Sequence, residues 1–110
     1  VKLKIAARTF SVVPMSQAEY ESGENIGYTQ ANSGIIAIYP GVPADHQAET
    51  LIHEVIHAAW YAYGLPPKAT EEQVAQHIGA ALAQIIRDNP TFIGKIVGAH
   101  QGDPVVKVEK

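Results

Sequence analysis

A change of hydrophobic period at Pro40-Gly41-Val42-Pro43 divides this chain in two. Before it, apolar residues alternate with polar ones or run in short blocks between turn residues, the pattern of strands. After it they recur every three or four positions, the pattern of helices. With 110 residues in all, there is apolar surface for one core and no more, so the chain reads as a single α+β domain covering residues 1–110.

In the first part, Leu3, Ile5 and Ala7 alternate with Lys2, Lys4 and Arg8, and Phe10-Ser11-Val12-Val13 continues the run as the same strand or a second short one. Residues 16–25 form a polar connection with room for a helical turn. The runs 26–29 and 35–39 flank Gln30-Ala31-Asn32-Ser33-Gly34, a hairpin whose turn suits Asn and Gly because both tolerate positive φ. The second of these strands is apolar on both faces, as expected for cover on both sides or for one side reserved for a ligand. It leads directly into the first helix and is a candidate edge on which an extended peptide could add as a further strand.

In the second part, Ala48, Leu51, Ile52, Val55, Ile56, Ala59 and Trp60 predict a helix over 44–63 that stops at Gly64. Leu65-Pro66-Pro67 forces a turn. Thr70-Glu71-Glu72-Gln73 then fits a capping box, opening a helix with Val74, Ala75, Ile78, Ala81, Leu82, Ile85 and Ile86 on its apolar stripe. That helix ends at Asp88-Asn89-Pro90. A short third helix over 91–97 follows, weakened by Gly94 and Gly98, and the tail from about residue 99 is expected to be loose or to add a strand through Val105, Val106 and Val108. The expected architecture is a small antiparallel sheet of about three strands packed on two long helices.

Composition removes several function classes. The chain has no Cys, which excludes a disulfide framework, a thiolate zinc or iron–sulfur site and a thiol nucleophile. Eight Lys and Arg against eleven Asp and Glu, scattered along the chain, offer no stripe for phosphates, so nucleic acid is not expected as a direct partner. No apolar run approaches the ~20 residues that span a bilayer, and Arg8 and Thr9 interrupt the N-terminal one, so the sequence reads as soluble and cytoplasmic with no membrane partner.

The chemistry-bearing motif is His53-Glu54-Val55-Ile56-His57. Four residues are just over one helical turn, so both imidazoles leave the same face at a separation that one metal ion can bridge. Glu54 lies about 100° round from His53, beside the metal instead of on it, where a carboxylate can take a proton from a zinc-bound water. A solvated surface pair of histidines is the plainer alternative, but their setting among Leu51, Ile52, Val55, Ile56 and Ala58 argues against it. The expected cofactor is therefore one zinc ion, with His53 and His57 as ligands and Glu54 as general base.

A third protein ligand is needed for a catalytic zinc site. The extended H-E-x-x-H-x-x-G-x-x-H pattern is absent, since Trp60 and Tyr63 stand where Gly and His would be. On a helical projection the apolar stripe of the second long helix centres near Glu71, whereas Glu72 points about a quarter turn away. Acids in the first turn of a helix also complement its dipole, which accounts for Glu72 fully. Glu71 is thus the expected third ligand, with Glu72 the alternate. His77 reads as a flank or surface histidine, and nothing requires His46 or His100 at the site.

The stretch from Ile36 to Pro90, about half the chain, resembles the small zincin metallopeptidases of phages and mobile elements related to the ImmA/IrrE type. The resemblance rests on Ile36-Ala37-Ile38-Tyr39-Pro40-Gly41, on Gln47 through Ala58 with its histidine motif, on Tyr63-Gly64-Leu65, on Thr70-Glu71-Glu72-Gln73-Val74, and on Ile85-Ile86-Arg87-Asp88-Asn89-Pro90. It implies a three-stranded sheet on a few helices and zinc held by the two histidines and an acid of the second helix. His77 departs from the family pattern, in which a large apolar residue is common at that place. Better-known members cut a repressor protein, often through a chain that also carries a DNA-binding domain, and no such domain is expected within residues 1–110.

Two functions remain in view from sequence. The first is a zinc-dependent peptidase acting on a protein or peptide substrate. The second is a zinc-binding interaction domain that holds a protein partner without cutting it.

Overall fold

The computed structural model describes residues 1–23 and 25–107. The elements are β1 (Lys2–Ile5), β2 (Arg8–Pro14), α1 (Gln17–Gly23), β3 (Gly27–Gln30), β4 (Ile35–Ile38), α2 (Ala44–Ala62), α3 (Glu71–Asp88) and α4 (Phe92–His100). The first apolar run is two strands, because Ala6 adopts a left-handed conformation (φ 56°) and reverses the chain, pairing Ile5 with Arg8 and Lys2 with Ser11. That conformation costs an alanine about 1 kcal/mol. Gln84 of α3 holds it in place: its Oε1 accepts the Ala6 N–H at 2.8 Å and its amide donates to the Lys4 carbonyl at 3.0 Å.

The architecture is α+β, with strand order β1-β2-β4-β3. Four strands replace the expected three, and the sheet is mixed: β2 and β4 run parallel, flanked by antiparallel pairs. The reason is the crossover through α1, which brings the β3/β4 hairpin back with β4 on the inside. An all-apolar strand suits that place, and Ile36, Ala37 and Ile38 are all buried. The expectation that the strand at 35–39 offers a free edge is therefore corrected. β4 is paired on both sides, and the free edge next to α2 belongs to β3.

Leu3, Ile5, Phe10, Val12, Ile36 and Ile38 form the strands' share of the core, and Ala48, Leu51, Val55, Ala58, Ala59, Ala81, Ile85, Phe92 and Ala99 form the helices' share. The three core alanines of α2 let this helix lie close to the sheet. The described tail is not a strand, and it is anchored at two residues while residues 100–104 and 107 are exposed. Val105 and Val106 are buried, and Gln47, only 2% exposed, accepts the Val106 N–H at 3.0 Å while its amide donates to the carbonyls of Pro40 and Val42. Val108 lies outside the described residues. None of the described helices is long and apolar enough to cross a membrane.

The outer edge of β1 is closed by side chains. Besides Gln84, the buried Asn89 accepts the Lys4 N–H at 2.7 Å and donates to the carbonyls of Lys4 and Ile85 at 2.9 and 2.8 Å. Replacing Asn89 by Ala leaves these backbone groups without their partner, so Asn89→Ala is expected to lower stability by about 2–3 kcal/mol in urea unfolding. A loss below about 0.5 kcal/mol would show that the edge closure is not needed.

Candidate functional site

Helix α2 carries the site and ends as its sequence suggests. Gly64 (φ 69°) lets its own N–H reach the Tyr61 carbonyl and the Leu65 N–H reach the Trp60 carbonyl, the paired bonds of a glycine-terminated helix. Between the ends, Leu51, Val55, Ala58 and Ala59 face the core, while His53 and His57 stand on the exposed flank. Their Nε2 atoms face each other at 3.1 Å, with ring planes 70° apart. At that distance one ring can donate to the other, or both lone pairs can converge on one ion. Two imidazoles on a tetrahedral zinc, with bonds of about 2.0–2.1 Å, would hold their nitrogens roughly 3.3 Å apart. The pair fits two positions of such a centre.

Glu54 behaves differently from its neighbours, being only 6% exposed. One carboxylate oxygen, Oε1, accepts from the Thr29 hydroxyl at 2.8 Å, and the same hydroxyl lies 3.1 Å from the Glu54 backbone carbonyl. A cavity of about 360 Å³, lined by Asn25, Gly27, His46, Glu49 and Thr50 among others, and a second of about 410 Å³, reaching Thr29, Ala31 and His57, share Asn25, Gly27, His53 and Glu54. Together they form an open groove between α2 and β3, with the histidine pair and the buried carboxylate along one wall.

Strand β3 is the other wall. The Tyr39 N–H donates to the Ile26 carbonyl at 2.8 Å, and Tyr28 and Gln30 oppose Ala37 and Ile35. Antiparallel alternation then turns the backbone N–H and C=O groups of Gly27 and Thr29 away from β4, toward the free edge. Tyr28 projects from the opposite face to Thr29 and is engaged elsewhere: its hydroxyl donates to Glu19 of α1 at 2.6 Å. That bond, aided by burial, pushes the pKa of the Tyr28 phenol up to about 12; the same bond, with the Ser16 N–H, holds the Glu19 carboxyl below its ordinary range.

The acids expected from α3 are not brought to the pair. The capping box at Thr70 and Gln73 forms as read from sequence. Glu71, however, is exposed, as is Glu72, and the described residues contain no group of three His, Cys, Asp or Glu able to hold a metal ion. The projection gave Glu71 the direction of the stripe, but α3 buries only Ala81 and Ile85 fully, nearer its far end, and its first turn lies beyond the core. His77 bonds to the Gln73 carbonyl on an exposed surface, His100 is exposed at the end of α4, and His46 lines the groove. Sequence reasoning missed Thr29 and Gly27; the glycine inside a strand was the available signal, since it marks a close approach of another element.

Comparison with protein-family models, with curated proteins and with solved structures found no match for this chain. The geometry alone predicts that His53→Ala or His57→Ala weakens zinc binding at least about 100-fold, while Glu71→Gln and Glu72→Gln stay within about threefold of the parent, as measured by competition with a chromogenic chelator. A comparable loss in Glu71→Gln would bring the start of α3 onto the metal.

Proposed function

We propose that this chain is a cytoplasmic zinc-dependent peptidase of the zincin type, acting on extended segments of protein or peptide substrates. The observation that supports it is one juxtaposition: two facing imidazoles, a buried carboxylate beside them and an open strand edge across the groove. His53 and His57 would hold the ion at two positions, and the third protein ligand that a catalytic centre takes is not grouped with them among the described residues. When bound, zinc supplies a Lewis acid for the scissile carbonyl and brings the pKa of a bound water to about 7. Glu54 would serve as the general base for the attacking water and would return the proton to the leaving amine. The outward N–H and C=O groups of Gly27 and Thr29 take the substrate backbone as an added strand, which sets the scissile bond alongside α2.

A second reading, a metal-binding interaction domain that holds an extended partner without cutting it, draws on the exposure of the histidine pair and on the lack of a third grouped ligand among the described residues. The buried Glu54 favours the peptidase, since a purely structural centre has no use for a base there. Incubating the zinc-loaded protein with a peptide library and reading new termini by mass spectrometry separates the two. Zinc-dependent cleavage is expected, lowered at least about 100-fold in Glu54→Gln at unchanged zinc content. Equal cleavage by Glu54→Gln, or none by the parent, would overturn the peptidase reading.

A further inference from the structure

Strand β3 approaches α2 unusually closely at residue 27. A Cβ there would stand 2.5 Å from Thr50 Cγ2, 3.2 Å from the Ala37 carbonyl oxygen and 3.4 Å from Glu54 Cγ. Gly27 is required by space, and Thr29, two residues on and therefore on the same face of the strand, gains a position over the helix from which its hydroxyl reaches Glu54. A threonine hydroxyl has one proton to give, and the carboxylate oxygen at 2.8 Å is a nearer and stronger acceptor than the backbone carbonyl at 3.1 Å. Among the described residues no donor reaches the second carboxylate oxygen, and no buried side-chain oxygen lacks a partner, so Oε2 is open to the groove.

From this we infer that Thr29 is the positioning residue for Glu54. Its hydroxyl holds Oε1, fixes the side chain in one rotamer and reserves Oε2 for the proton that the site moves. The inference rests on the peptidase reading for its consequence, though not for its geometry. It also joins two tasks in one strand: the segment whose backbone edge would take the substrate carries the side chain that aims the base. A substrate pulling β3 out of place would misdirect Glu54, so only a segment that fits the edge meets an aligned carboxylate.

The test compares Thr29→Val, which keeps the shape and removes the hydroxyl, with Thr29→Ser, which keeps the hydroxyl. In the metal-free protein, NMR coupling constants across the Glu54 side chain are expected to report one rotamer in the parent and in Thr29→Ser, and rotamer averaging in Thr29→Val. In the zinc-loaded protein, Thr29→Val is expected to lower kcat about 10–100-fold with KM within about twofold, and Thr29→Ser to recover most of the loss. A single parental rotamer in Thr29→Val, or averaging already in the parent, would overturn the inference. If the parent cuts nothing, the peptidase reading fails, while the coupling constants still decide whether Thr29 holds Glu54.

Discussion

The contact between Gly27 and helix α2 is the constraint on which the candidate site depends. Because residue 27 has no side chain, β3 can lie against Thr50 and Glu54. Because β3 lies there, Thr29 reaches a carboxylate that the helix has turned inward. The same approach makes the groove: its two cavities meet at Gly27 and Glu54, with His53 on the rim. Glu54, only 6% exposed, is held at one oxygen by a hydroxyl from a strand 25 positions earlier, while its other oxygen stays open to the groove.

The two edges of the sheet are treated in opposite ways. Free strand edges invite pairing with other chains, and native proteins usually cover them. At β1, Gln84 of α3 and Asn89, the C-cap of that helix, occupy the backbone of Lys4 and Ala6 and cover that part of the edge. At β3 the outward groups of Gly27 and Thr29 face the groove beside the histidine pair. The strand has only four residues, a length that limits indiscriminate pairing yet suffices for a short extended peptide. The edge beside the buried carboxylate thus stays open while Lys4 and Ala6 at the opposite edge are covered.

Much of this was legible in the sequence, and the limits have physical causes. The change of period at Pro40–Pro43, the stop at Gly64 and the capping box at Thr70 are local signals, and each appears where it was read. The facing of His53 and His57 follows from helical spacing alone. Strand order did not follow, because the parallel pairing of β2 with β4 depends on how α1 carries the chain across, which no local pattern encodes. Glu71 lies exposed at the start of α3 for a related reason: a projection gives direction around an axis and says nothing about how far along it the core extends. Asn89 read only as a helix end before Pro90, although its partners lie 85 residues away at Lys4.

The central claim is that His53 and His57 are a metal pair, and X-ray absorption at the zinc edge on protein loaded with one equivalent tests it most directly. The account predicts stoichiometric zinc with two imidazole nitrogens at about 2.0–2.1 Å, both imidazole signatures being lost when His53 and His57 are replaced together. Zinc that washes out of the parent protein, or a coordination shell that is unchanged without these two histidines, would contradict it.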